Sequence, residues 1–452
     1  MGTQKLSHKK DQDSLARQGD VAQDEPLVEG VEEVADEGKE PSVETFEPSE
    51  DEQVYASDGN KEREKVEDAK DSANSTEVEE VEEEIEAGAE IPQSSRLHKM
   101  PDWVRYGFPP PEYLRFNFVG LNISDHSVKV CKSVTDHDYY LIEFIDTLSI
   151  PEGVIVNGEI QDAAEVVKVL KKVKSTFGVE FVRVSVPEEK IYLATFSIPP
   201  TSPDKLRSVV EFHIGDHIPL SVDEIQFDYN VVKRTKSGKI TQVVATAIAK
   251  NEAQELTTIL TDSGLVPLSM EVEAQAVARV VLPPRHPKTA LVLDIGRSRT
   301  GISIIKNQVV RYTTTVTFGG DHLVQLIAEL RDIDPAEAEK VKRTSGLQLS
   351  KYTTAEQQKI EDFIADLVEE IRRRENYWIN QSGEEIDEVL LVGGNASTPH
   401  LVNYLQSKTD KIVKVPDVWQ NVYHNKESER LVSDNEALGY AAVVGLAINE
   451  QR

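Results

Sequence analysis

The chain has 452 residues, with 80 Asp and Glu against 50 Lys and Arg, a net charge of −30. That excess of acid argues against nucleic acid as a partner, because such binding rests on clustered Lys and Arg. The single cysteine, Cys131, excludes an intramolecular disulfide and a cysteine-based metal site.

No apolar run approaches the ~18 residues that span a bilayer, and the first 30 residues carry no apolar signal-peptide core. We therefore expect a cytoplasmic protein with no direct membrane insertion. Residues 1–100 hold 30 acidic and 11 basic residues, and Phe46 and Tyr55 are the only aromatics in the first 92 positions. A segment so charged, with so little to bury, cannot offset its conformational entropy, so a disordered acidic tail is expected. A solvated tail is the plain reading, and an interaction tail for a basic partner stays open. Residues 101–116, with Trp103, Tyr106, Phe108 and three consecutive prolines, read as an extended Pro/aromatic linker strapped to the folded body.

From there strands and helices alternate. "FVGLNIS", "HSVKVCKSV" and "YYLIEFIDTLSI" are β-rich, and Cys131 within them reads as a small buried apolar side chain. "DAAEVVKVLKKVKSTFG" has apolar residues at helical spacing and is closed by Gly178. "VEFVRVSVP" returns as a strand. "KIYLATFSIPP" follows as a strand, and Ser202 before Pro203 marks a helix start. "EIQFDYNVVKR", "TKSG" and "KITQVVATAIAK" form a hairpin, and "NEAQELTTILTDSG" a helix. "SMEVEAQAVARVVLPP" reads as a helix stopped by Pro283 and Pro284. A strand–turn–strand unit starts at Leu291, a helical stretch covers Asp321 to about Asn380, and "IDEVLLVGGNASTPHLVNYL" is strand, glycine turn and helix. The final "DNEALGYAAVVGLAIN" carries small residues that suit close helix packing in the core.

Two stretches repeat one another. Laying "FVGLNISDHSVKV" (Phe118 to Val130) over "LVLDIGRSRTGIS" (Leu291 to Ser303) puts Asn122 on Asp294, Ile123 on Ile295 and Ser124 on Gly296. Two strand–turn–strand units facing each other form a cleft suited to a nucleotide. Tight turns expose backbone N–H groups to phosphate oxygens, and an Asp at a strand end holds Mg²⁺ through water.

The order of phosphate loop, inserted subdomain, connecting helix, second loop, helical lobe and glycine turn resembles the actin-like ATPase superfamily, in the variant with an FtsA-type subdomain inserted in the first lobe. The stretch from "SVPEEKIYLATFSIPP" to "FDYNVV", with "AEKVKRTSG" and "LVEEIRRRENYW", resembles the PilM family of type IV pilus assembly proteins. The expected fold is thus α/β and two-lobed. The first lobe covers 117–186 with phosphate loop 1, an inserted subdomain 187–269 and a connecting helix 270–285. The second lobe covers 286–320 with phosphate loop 2, a helical subdomain 321–385 and 386–452 with the adenosine loop.

The resemblance implies ATP and Mg²⁺ as ligands. It places Asn122, Ser124, Ser127 and Lys129 at the first loop, and Asp294, Gly296, Ser298 and Thr300 at the second, with Asp294 near the metal. Gly393, Gly394 and Asn395 fall under the adenosine, and Glu339, Lys342 and Arg343 meet ribose and adenine. Glu273 orients the attacking water. On the residues alone, Glu273 reads equally as a solvated helix residue, Asp294 as a turn former, and Glu339, Lys342 and Arg343 as a salt-bridged helix face. His213 and His217 have the i, i+4 spacing of metal ligands, but Gly215 lies between them and no third ligand is evident.

The first loop departs from the family's Gly-x-Asp-x-Gly, reading Gly120-Leu121-Asn122-Ile123-Ser124. Losing one charge-assisted hydrogen bond costs about 1.5–3 kcal/mol, so nucleotide binding with weak or absent hydrolysis is expected. The resemblance further implies a scaffold at the inner face of the cytoplasmic membrane. There it would bind the N-terminal cytoplasmic peptide of a PilN-like inner-membrane protein, in a groove between first lobe and insert, and it admits the pilus motor ATPases as further partners. An active kinase of the same superfold would need a catalytic Asp and a polar substrate cluster in the first lobe. An FtsA-like filament protein would end in a basic amphipathic helix.

Overall fold

A computed structural model describes residues 82–84, 118–136, 139–283, 286–422 and 431–448. The linker expected over 101–116 lies outside the described residues, as does the acidic tail apart from Glu82–Glu84.

Two five-stranded sheets repeat one topology. In the first, β2 (Phe118–Ile123), β3 (Ser127–Asp136) and β4 (Tyr139–Ser149) run antiparallel, while β7 (Phe181–Val186) and β11 (Val266–Val272) add in parallel on the other side of β2. In the second, β12 (Ala290–Ile295), β13 (Thr300–Lys306) and β14 (Val309–Val316) run antiparallel, and β15 (Glu388–Val392) and β16 (Ile412–Lys414) add in parallel beyond β12. The central strands are buried on both faces, which is why "LVLDI" and "EVLLV" are apolar runs without alternation. A short ribbon, β5 (Ile155–Val156) with β6 (Glu159–Ile160), precedes helix α1 (Ala163–Phe177). Asp162 caps α1 by accepting the Glu165 amide, and Gly178 ends it as expected.

The insert has its own sheet, β1–β9–β10–β8, in spatial order. It comprises β8 (Ile191–Thr201), helix α2 (Leu206–Ile214) and the hairpin β9 (Ile225–Thr235) and β10 (Ile240–Ala249), whereas α3 (Lys250–Asp262), which follows it, packs Ile259 and Leu260 into the first-lobe core with Val166 and Leu170. A separate core of Phe196, Leu206, Val210, Ile214, Ile240 and Val243 holds it together. Helix α2 starts later than Ser202 suggests. "SMEV", expected to open a helix, instead completes β11, whose β-branched and apolar residues pair with β7, so α4 spans only Glu273–Val281.

Glu82–Glu84 form β1, antiparallel to β9, with Glu83 opposite Arg234 and Glu84 opposite Lys233. The edge of β9 offers unpaired backbone groups with which another strand can pair.

The helical lobe contains α5 (Gly320–Arg331), α6 (Pro335–Ser345) and α7 (Thr354–Ser382), followed by α8 (Leu401–Thr409), α9 (Asp434–Ala437) and α10 (Ala441–Ala447). The small residues of α10 do pack closely, but onto the first lobe. A Cβ on Gly120 of β2 would lie 2.4 Å from the Val443 carbonyl oxygen, and one on Gly445 would lie 1.9 Å from that of Ala276 in α4. Among the described residues, no helix is long and apolar enough to cross a membrane.

Candidate functional site

The carboxyl ends of parallel strands leave a crevice where α/β proteins bind ligands. Here β2 and β7 deliver Asn122 and Ser185, β12 delivers Asp294, and the first residue of α4 delivers Glu273. The Asn122 side-chain amide donates to Ser185 Oγ at 2.8 Å and to Glu273 Oε1 at 2.8 Å. Glu188, in the turn Glu188–Lys190 between β7 and the insert, accepts the Ala274 amide at 3.0 Å. Three partly buried carboxylates thus line one cleft.

Lost hydration raises all three. The Glu273 carboxyl is pushed up to about 7, first by burial and then by Asp294, against the pull of Lys129, the Asn122 amide and Arg299. Burial, then the charge of Glu273, lifts Glu188 well above the usual range. Burial also raises Asp294, with Lys129 opposing it. The Glu273 reading as a solvated helix residue is therefore replaced by a half-buried acid in a charged cleft. The Lys129 ammonium donates to the Gly439 carbonyl and lies 5.7 Å from the centre of the Tyr440 ring.

The first turn is closed by Ser124, whose amide and hydroxyl both donate to the Ser127 carbonyl, at 2.9 and 3.0 Å; the two hydroxyls lie 3.2 Å apart. In the second turn the Gly296 amide donates to Arg299 and the Gly296 carbonyl accepts from Gly320. The Ser298 hydroxyl donates to Asp125 at 3.2 Å. Thr300 is fully buried, and its hydroxyl donates to the Phe318 carbonyl at 2.7 Å, inside the second lobe.

Under the cleft, Gly393 takes φ +91°, and a Cβ there would lie 2.5 Å from Asp294 Oδ1 and from the Ile295 carbonyl oxygen. Only glycine fits both the left-handed backbone and the close approach to the Asp294 carboxylate. A Cβ on Gly394 would meet nothing within 4 Å. Asn395 ties three elements: its amide donates to the Gly296 carbonyl at 2.8 Å and its oxygen accepts from Lys342 at 2.9 Å. Glu339 pairs with Lys342 at 2.8 Å and with Arg343 at 2.6 Å. Burial alone would raise Glu339, but the two cations hold it below the usual carboxylate range. Lys342 is buried while the Arg343 side chain is 77% exposed, so the salt-bridged face also reaches the glycine turn.

Several residues here escaped the sequence reading. Asp125, Ser185, Glu188, Glu189 and Arg299 carry no motif, and only folding brings them to the cleft. Gly319 and Gly320 did carry a signal in "FGGD": a Cβ on Gly320 would fall 2.1 Å from Asn395 Oδ1. His217 lies past the end of α2 and stacks on Phe196 with ring centroids 4.5 Å apart, so it does not share a helical face with His213. Elsewhere, a cavity of about 590 Å³ separates the insert from the second lobe, lined by Tyr192, Leu193, Arg311, Tyr312, Tyr377 and Trp378.

A solved structure described as "PilM-PilN type IV pilus biogenesis complex" superposes with a TM-score of 0.60 at 20% identity, over 74% of this chain and 98% of that one. The ethanolamine utilization protein EutJ of Escherichia coli K12 is 31% identical over 108 residues, 24% of this chain and 34% of its own length; that of Salmonella typhimurium LT2 is 29% identical over the same length. The chain thus spans about a third of these curated relatives. The fold is the two-lobed actin-like ATPase fold with an insert in the first lobe. The sequence profile of the family described as "Type IV pilus assembly protein PilM" matches residues 120–451, and the chain belongs to that family.

Proposed function

We propose that this protein is a nucleotide-binding scaffold of the type IV pilus assembly machinery that docks a PilN-like inner-membrane protein. The observation that carries the nucleotide reading is the duplicated strand–turn–strand cleft with its three raised carboxylates, an arrangement that gains from a bound cation. Asp294 and Glu273 would hold Mg²⁺ through water, and that ion would neutralise polyphosphate charge. The turns at Ser124–Ser127 and Gly296–Ser298, with Lys129, would bind the phosphates of ATP. Gly393, Gly394 and Asn395 would underlie the adenosine, with Glu339, Lys342 and Arg343 at its edge.

Hydrolysis is slow or absent in this reading. An attacking water would need Glu273 as a free acceptor, whereas the Asn122 amide already donates to that carboxyl. The lobes then serve as a nucleotide-dependent frame. The partner reading rests on the family and on the structure of a PilM–PilN complex, and it places the protein at the inner face of the cytoplasmic membrane through that partner. Calorimetry of the full chain with an N-terminal PilN peptide, with and without Mg·ATP, tests it. Micromolar binding that nucleotide shifts is expected, and no binding in either state would overturn the partner reading.

A further inference from the structure

One guanidinium joins the two lobes and the insert. Arg299 lies in the turn between β12 and β13, on the second lobe. Its Nη2 is 3.3 Å from Asp125 Oδ1, in the first-lobe turn, and its Nη1 is 2.9 Å from Glu189 Oε1. Glu189 sits in the three-residue turn Glu188–Lys190, where the chain leaves β7 to enter the insert.

The contact is built from both sides. Asp125 is 6% exposed; its Oδ1 also accepts the Gly158 amide at 3.0 Å and its Oδ2 the Ser298 hydroxyl at 3.2 Å. The Arg299 side chain is 19% exposed, so the pair is largely withdrawn from water, where geometry counts for more than in a surface pair. The adjoining Glu188 grips the other face of the same turn by accepting the Ala274 amide at the start of α4. Lys190 in turn pairs with Glu252 of α3, the helix that leads from the insert back to the first lobe. A single short turn at the entrance to the insert is thus fastened to the second lobe, the connecting helix and the helix by which the chain leaves the insert.

We propose that Arg299 is a positioning residue that lets the insert sense the state of the cleft. Without ligand it clamps the turn at Glu189. A polyphosphate lying against the second turn offers the guanidinium a bidentate acceptor in place of two carboxylates, and the turn is then released. For its ligand arm this rests on the nucleotide reading above; the clamp itself does not.

Hydrogen exchange of the full chain tests both arms, read at the amides of residues 188–192 and at Gly158. Arg299→Gln speeds exchange there about tenfold without ligand, Arg299→Lys recovers part of the protection, and Asp125→Ala, which removes the acceptor oxygen, frees Gly158. The double variant Asp125→Ala/Arg299→Gln frees the turn at 188–192 no further than Arg299→Gln alone. Unchanged protection in α7 shows that the variants remain folded. Mg·tripolyphosphate, bound by wild type, reproduces the effect of Arg299→Gln at 188–192. Equal exchange in wild type and Arg299→Gln, or a turn that the bound anion protects, overturns the proposal. If wild type binds neither Mg·ATP nor Mg·tripolyphosphate by calorimetry, the nucleotide reading and the release step both fall, while the ligand-free comparison still decides the clamp.

Discussion

Replacing Glu273 by Gln should stabilise this protein at neutral and alkaline pH. The carboxyl titrates at about 7 in the folded chain against 4.5 in the ordinary state. For a carboxyl raised on folding, the unfolded chain loses its proton first as pH rises, so folded stability falls through the window from 4.5 to 7 and stays low above it. A shift of this size costs about 3 kcal/mol above pH 7, and about 1 kcal/mol at pH 5, from 1.36 kcal/mol per unit. Gln retains an oxygen to accept the Asn122 amide and removes repulsion from Asp294 and Glu188. Thermal unfolding of the ligand-free full chain should therefore show a gap of about 6 °C in favour of Glu273→Gln at pH 8, narrowing by about two thirds at pH 5. A variant less stable than wild type at pH 8, or a gap independent of pH, would refute the reasoning that this acid is strained by burial. The same variant should lose the benefit of Mg²⁺, because the charge that draws the cation is the charge that destabilises the empty cleft.

Asn122→Asp brings the first loop nearer the family pattern but places a carboxylate 2.8 Å from Glu273 Oε1. Two such groups share a proton rather than both ionise, so the variant should lose about 3 kcal/mol at pH 8, measured by denaturant unfolding, and show no gain in ATP turnover; brisk turnover would sink this account. Gly445→Ala should cost about 3 kcal/mol by prising α10 from α4, whereas Gly215→Ala, where the added carbon meets its nearest neighbour at 3.5 Å, should stay within about 0.5 kcal/mol.

These predictions turn on why Asn122 departs from the family. The sequence shows a lost charge and suggests a damaged catalytic half. The structure gives the substitution a local role, because the amide is the hydrogen-bond donor that lets Glu273 sit beside Asp294 and Glu188. An acid at 122 would add a fourth negative group to that cleft. Similarly, Thr300 aligns with a phosphate loop, yet its hydroxyl is spent on Phe318.

The sequence by itself determined the repeated strand–turn–strand units, the insert with its hairpin, the stop of α1 at Gly178 and the close-packing face of α10. Each of these is written in local periodicity, turn chemistry or residue size. It could not show that β11 reaches back to Val266, since an apolar run of that length suits helix and strand alike until β7 offers backbone partners. Nor could it show Asp125, Glu188, Glu189 and Arg299 meeting across the cleft. They come from three distant stretches of the chain and are ordinary in type, and they pair only because folding brings them together and withdraws them from water.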